Sequence, residues 1–252
     1  MSVSPDAIET LTTELLDAEG FPDYGPNGIQ VDAAVEVNRL ATGTTASLAT
    51  IAAAVDAGAQ ALLVHHGIMW GGASPIRGMF GARVRSLITG GVSLLGYHLP
   101  LDAHLERGNN AWVLKQLGCG ERSPFAVYKG REIGCHAQLA QPVAPGALAS
   151  QLASLFDHEV IHCPGGSDRI ERIGVVTGGG QSLLADAAAA GCQAFITGET
   201  SEQTWHEAAE LGIHCFACGH HATESKAIHK LGTHVAQQLG IEHIALDESN
   251  PL

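Results

Sequence analysis

A chain of 252 residues with 45% hydrophobic and 15% charged side chains can bury a substantial core, in one large domain or two smaller ones, and this composition excludes a disordered chain. Its formal net charge of −13 argues against a nucleic-acid backbone or an anionic membrane surface as the main partner. No apolar run is long enough to span a bilayer, because Asp56 interrupts the best candidate.

Ser4 and Pro5 open a helix as its cap and first residue, Ile8, Leu11, Leu15 and Leu16 give it an apolar face, and Gly20 ends it. A Pro/Gly-rich loop follows, running through Asn27-Gly28-Ile29-Gln30-Val31, and the rhythm then becomes β-α-β. A strand is expected over 40–44, an Ala-rich helix ending at Gly58, and a strand over 61–64. Next come a Gly-rich loop over 67–81, a helix over 82–88, a strand over 92–97 and a helix toward Leu117. The stretch 119–170 carries little pattern, and 142–164 is expected to hold one helix and a strand. A second β-α-β series then reads as strand 173–177, helix 182–190 and strand 194–197, followed by a long amphipathic helix over 223–239.

The junctions of the two series share letters. Ala57-Gly58-Ala59-Gln60-Ala61 aligns with Ala190-Gly191-Cys192-Gln193-Ala194, and Gly91-Val92 with Gly212-Ile213. On that alignment His65-His66 falls opposite Gly198-Glu199. A duplicated α/β unit is the simplest account, set against chance similarity between two Ala/Gly-rich segments. The expected domains are 1–124 and 125–252, with the 223–239 helix packing back on the first.

Three separate strand ends offer metal-ligand chemistry. His65 and His66 close an apolar run, and because neighbouring strand residues face opposite ways, both can serve one site only where Gly67 lets the chain turn. Tyr97-His98-Leu99-Pro100-Leu101-Asp102-Ala103-His104 follows the second strand, with Asp102 read as a helix cap, a ligand or both. His98 and His104 are read as ligands or as partners that orient them. Gly219-His220-His221-Ala222-Thr223-Glu224 is the third set, with His220 ahead of a helix and Glu224 in its first turn. Imidazole with carboxylate suits Zn, Mn, Fe, Co or Ni, and five candidates exceed what one catalytic zinc needs, so two divalent ions per chain are expected.

Other signals are weaker. Val176-Thr177-Gly178-Gly179-Gly180-Gln181 is either an anion-binding turn or a plain tight turn. Glu199 and Glu202 are either acid/base groups or solvated loop charges. Cys215-Phe216-Ala217-Cys218 lacks the second pair of a zinc ribbon and is read as buried strand. The six scattered cysteines and an opening Met1-Ser2-Val3-Ser4-Pro5 without leader character point to free thiols in a cytoplasmic setting.

Taken together, NGIQV at 27–31, LLVHHGIMW at 62–70, GYHLPLDAH at 96–104, TGGGQ at 177–181, TGETSEQ at 197–203 and GHHATE at 219–224 resemble one family. It is the NIF-three-like family of dinuclear-metal-centre hexamers, the GTP cyclohydrolase 1 type 2 homologues. The likeness covers most of the chain in the family's order, and the chain matches the compact form without an inserted domain. Asp32 departs from it, standing where a glycine is expected. The resemblance implies two similar α/β domains from an internal duplication with a metal site between them, and a toroidal homohexamer. It implies His65, His66, Asp102, His220 and Glu224 as metal ligands, with His98 and Glu199 nearby as the catalytic candidates. The expected function is a metal-dependent hydrolase that opens the ring of a purine nucleotide, as a GTP cyclohydrolase does. The alternative is a non-catalytic ring that handles metal or regulates a partner, motivated by 14 histidines and the lack of a triphosphate-binding motif. A DNA-encircling ring would fit a toroid but not the acidic charge.

Overall fold

The computed structural model describes residues 2–252. Helix α1 (Pro5–Leu15) begins where the Ser4 hydroxyl accepts the Ala7 N–H, and Pro5 stands at a position that needs no donor. It is followed by β1 (Gly28–Val31), β2 (Arg39–Thr45), α2 (Leu48–Asp56), β3 (Ala61–His66), α3 (Gly78–Gly90) and β4 (Ser93–Gly96). Two short helices, α4 (Leu99–Ala103) and α5 (Asn109–Gln116), lead to the long strands β5 (Cys119–Tyr128) and β6 (Arg131–Val143). The second series runs α6 (Pro145–Phe156), β7 (Ile161–Cys163), β8 (Ile170–Val175), a 3-10 turn over Gln181–Leu183, α7 (Leu184–Ala189), β9 (Ala194–Thr197), α8 (Thr204–Leu211) and β10 (His214–Ala217). Helix α9 (His220–Leu239) and β11 (Glu242–Ala245) close the chain.

Two compact units result. One comprises the residues through Leu101 together with Ala227–Ser249, the other Asp102–Lys226 with Asn250–Leu252. The first holds a five-stranded sheet in the order β1-β4-β3-β2-β11. Leu62, Val64, Leu94 and Ala41 pack with Ile51 of α2 and Leu87 of α3 on one face, while the alternate residues Leu40, Leu63 and Leu95 are buried on the other. The second holds a six-stranded sheet, β5-β6-β8-β9-β10-β7, covered on both faces. Val113, Leu148, Leu152, Ile173, Ile196 and Phe216 form one core, and Phe125, Leu184, Ala187, Phe195 and Ala208 form the other.

Both units are α/β and share one plan. In each, three consecutive strands run parallel and adjacent, β2-β3-β4 and β8-β9-β10, and the last carries an antiparallel edge strand that precedes the series, β1 or β7. The correspondence reaches single side chains. The Gln60 amide oxygen accepts the N–H groups of Asn38 and Arg39 at 2.9 and 3.1 Å, and its NH₂ donates to Gly58 at 2.7 Å. Gln193 does the same for Glu171, Arg172 and Gly191, at 3.2, 2.8 and 3.1 Å. Arg39 donates to the Ala57 carbonyl, and Arg172 to that of Ala190. Sequence-aligned glutamines that clamp the same strand entry favour duplication over chance.

The expected parallel strands all form, with ends shifted by a few residues. The NGIQV segment, read as loop, supplies β1. The stretch without pattern contains the β5–β6 hairpin, turned at Lys129-Gly130, where both residues have positive φ of 46° and 87°, as a two-residue primed turn requires. Pro124 sits within β5, which is tolerated because β5 is an edge strand. Helix α9 begins at His220 and not after it, so Glu224 lies one full turn inside. Among the described residues no helix is long and apolar enough to cross a membrane.

Two expectations follow from this architecture. Gln60→Ala and Gln193→Ala should each strand two strand-entry N–H groups and lower unfolding free energy by roughly 1 kcal/mol, by similar amounts in urea titrations; an effect at only one would show that the clamps are not equivalent. Burial lowers the pKa of His136, His162 and His243, with Arg172 adding for His136 and His214 for His162. Each folded value lies below the unfolded one of about 6.5, so the unfolded chain takes up protons first and stability falls as pH drops through that value. The urea midpoint should decrease below pH of about 6.5, and His162→Gln should reduce the decrease; a midpoint independent of pH there would contradict this account.

Candidate metal centre

In the first unit, His65 and His66 end β3 and His98 follows β4. One ring nitrogen from each lies within 4.8 Å of the others. Parallel strands place their carboxyl ends together, and this brings three imidazoles from two strands to one edge. His65 is fully buried, and its Nδ1 lies 3.1 Å from the Tyr97 carbonyl oxygen. A carbonyl only accepts, so Nδ1 carries the proton and the lone pair lies on Nε2. His66 Nδ1 meets the Thr45 hydroxyl at 3.1 Å, across the β2–β3 register pair Thr45 and His66. His98 Nδ1 meets the Asp23 carboxylate at 2.8 Å.

Asp23, which no sequence motif singles out, organises this edge. Its side chain is 1% exposed. It accepts from the His98 ring, the backbone N–H groups of Tyr24 and Leu99 and the Asn27 amide, while Asn27 accepts the His98 N–H. Burial alone would raise its pKa; the hydrogen bond and charge of His98, helped by the two backbone donors, overcome that and hold it below the usual value. Gln30 takes the N–H groups of Ile68 and Met69, which fixes the turn after His66-Gly67. This gives the NGIQV segment a physical role: its Asn and Gln side chains tie down the two histidine-bearing loops.

In the second unit the donors are mostly carboxylates. Asp102 and Glu224 are 6% and 2% exposed, and an oxygen of one lies within 4.8 Å of an oxygen of the other. Asp102 lies inside α4 and does not cap a following helix, since α5 is capped by Gly108. Its Oδ1 accepts both the Asn109 amide, at 2.8 Å, and the Thr177 hydroxyl, at 3.1 Å, which fixes the carboxylate plane. His220 Nε2 is 3.2 Å from Glu224, four residues on along α9, and its Nδ1 is 2.6 Å from Glu199. The Glu224 hydrogen bond raises the His220 pKa, burial opposes it, and the charges of Glu224 and Glu199 add, taking it to about 9. Gly178, at φ +62°, is needed here because a Cβ would run into Glu224 and His220.

Several candidates resolve the bland way. The Gly178 and Gly180 N–H groups donate to the Thr223 and Thr197 hydroxyls, so the triglycine turn spends them inside the protein and does not present them to an anion. His104 Nδ1 accepts from Glu106 and Arg107, which leaves its proton on Nε2 in the neutral ring. Cys215 and Cys218 belong to the cores on opposite sides of the second sheet and cannot ligate one ion together. Burial pushes the Cys215 thiol up to about 12, as expected for an inert structural cysteine.

The donors fit a metal. Four imidazoles (His65, His66, His98 and His220) each have Nδ1 engaged by a protein oxygen, the arrangement that orients a histidine to ligate through Nε2. Two buried carboxylates held this close repel each other and forgo hydration, a cost that a cation removes.

These features define an α/β protein built from a duplicated unit, carrying His/Asp/Glu groups that could hold a metal. The family profile described as Duf34/NIF3 (NGG1p interacting factor 3) matches residues 4–251, and the chain belongs to this family. It is 42% identical over 249 residues to a Pseudomonas aeruginosa protein named GTP cyclohydrolase 1 type 2 homolog, covering 97% of this chain and 98% of that one. Among solved structures it is similar to protein ybgI, described as of unknown function, with a TM-score of 0.91, 39% identity, and 99% and 100% of the two chains covered. TTHA1606 from Thermus thermophilus is similar at a TM-score of 0.89 and 30% identity, with the same coverage.

Removing Asp23 tests how the first edge is held. Asp23→Ala leaves the Leu99 N–H and the His98 ring without their acceptor and should cost roughly 2 kcal/mol in denaturant unfolding. A loss below about 0.5 kcal/mol would show that water replaces the carboxylate.

Proposed function

We propose that the chain is a metal-dependent hydrolase of the GTP cyclohydrolase type, opening the ring of a purine nucleotide with water. Two divalent ions would be held by His65, His66, Asp102, His220 and Glu224. The observation that carries this reading is the shared engagement of Nδ1 by protein oxygens at the imidazoles, beside the two buried carboxylates of Asp102 and Glu224. The mixed imidazole and carboxylate set suits Zn, Mn, Fe, Co or Ni. Two such ions would supply Lewis acidity for attack of water on an electrophilic ring carbon. The chain's own contribution is proton handling. The Asp23–His98 pair, at 2.8 Å, has the form of a carboxylate-oriented general base, and Glu199 is the second candidate, half-exposed beside His220. The relatives' name supplies the nucleotide as candidate substrate, and a homohexamer in the cytoplasm is the expected form.

One observation favours the alternative, a non-catalytic hexameric ring that handles metal or regulates a partner. The sequence carries no Walker-type motif to receive a triphosphate, since Thr177-Gly178-Gly179-Gly180-Gln181 lacks the lysine, and the Gly178 and Gly180 N–H groups are taken by Thr223 and Thr197. The two readings share the metal and differ in turnover.

Elemental analysis of protein purified without added metal, beside the His65→Ala/Glu224→Ala double variant, is the decisive measurement. About two metal ions per chain, lost in the variant, are expected, with GTP consumed by the loaded protein. Metal retained with every nucleotide unchanged and transfer to an acceptor protein would select the metal-handling reading. Absence of metal after reconstitution would defeat both.

A further inference from the structure

Three aromatic rings are prominent on the surface among the described residues: Tyr24, Trp70 and Trp205. Two of them lie against the same imidazole. Trp70 is 44% exposed with its ring centroid 5.0 Å from that of His98, and Tyr24 is 54% exposed with its centroid at 5.9 Å. Trp70 also reaches His66, at 6.2 Å.

The two rings are built into position. The Gly71 N–H donates to the Tyr24 carbonyl at 2.8 Å, and a Cβ on Gly25 would collide with the Met69 carbonyl oxygen. The loops carrying the rings are therefore zipped together by main chain, with Asp23 anchoring one loop and Gln30 the other. Leaving two large rings half in water beside half-buried histidines gains nothing for folding. It suits a ligand that brings its own flat apolar face.

From this arrangement the geometry points to Tyr24 and Trp70 as a surface that receives a planar heteroaromatic ring by stacking, next to His98. The inference rests on the proposed hydrolase reading and adds what recognises the ring. The indole and imidazole planes are at 86°, so a flat ring stacked parallel to Trp70 lies with its plane at right angles to that of His98. Stacking accepts any planar base, which makes this surface selective for flat rings and tolerant among them.

Calorimetric titration of the metal-loaded chain with guanosine, and with ribose as the non-aromatic control, tests this. Guanosine should bind and ribose should not. Trp70→Leu and Tyr24→Leu should each weaken guanosine by roughly tenfold, about 1.4 kcal/mol, with metal content unchanged, while Trp70→Phe retains most of the affinity. Metal held normally with guanosine affinity indifferent to both leucine variants, or with no guanosine binding, overturns the ring surface and leaves the metal reading standing. Guanosine bound through Trp70 by a chain that never takes up metal gives the converse: the ring surface stands and the hydrolase reading falls.

Discussion

Burying ionisable side chains at strand ends is costly unless each is given a partner, and much of the local structure follows from meeting that requirement. Asp23 is 1% exposed and collects four donors. Asp102 is held by Asn109 and Thr177, and Thr177 in turn gives its N–H to Asn110, whose amide donates to the Ile133 carbonyl. His65, His98 and His220 each have Nδ1 fixed by a carbonyl or carboxylate, which places a proton there, and His66 Nδ1 meets a hydroxyl. The apparently irregular loops around these residues are the chain's means of delivering acceptors and donors to them. Their Asn, Thr and Gly content reflects that role, since short polar groups reach back to backbone and glycine permits the closest approach.

How much of this could be read from the sequence follows from the range of each interaction. The central strands are legible because a parallel strand buried on both faces is a continuous apolar run, as in 61–64 and 194–197. The histidines and carboxylates are legible because they cluster within a few residues of those runs. The β5–β6 hairpin is not, since its residues are mostly exposed or half-exposed and Pro124 interrupts any alternation. The start of α9 is hidden because a glycine followed by two histidines reads as a loop, and only the fold shows His220 already helical. Asp23, Thr45, Asn109 and Asn110 escape a sequence reading for a different reason. Their partners are distant in sequence or meet through a strand register, and a polar residue in a loop carries no mark of what it will accept or donate. The matching geometry of Gln60 and Gln193 shows the opposite case, where an aligned pair of letters stands for a shared set of hydrogen bonds.

The duplication also explains why the two units do not carry the same donors. With Ala61 matched to Ala194 by strand register, His65 corresponds to Gly198 and His66 to Glu199. At Gly198 a Cβ would collide with the His220 Cα and with the Gly178 backbone. The second repeat cannot hold an imidazole at that strand end, because the first turn of α9 and the 178–180 turn press against it. His220 supplies the imidazole from the helix instead, and Glu199, in the place of His66, becomes the group that fixes the His220 Nδ1 proton. One scaffold thus supports two solutions. In the first the strand end itself carries the histidines and the loops bring acceptors to them. In the second the strand end shrinks to glycine, a helix start brings the histidine, and the strand residue serves as its acceptor. A substitution at Gly198 acts first on the seating of α9, and through it on both His220 and Glu224, although Gly198 itself offers no side-chain atom to any ligand.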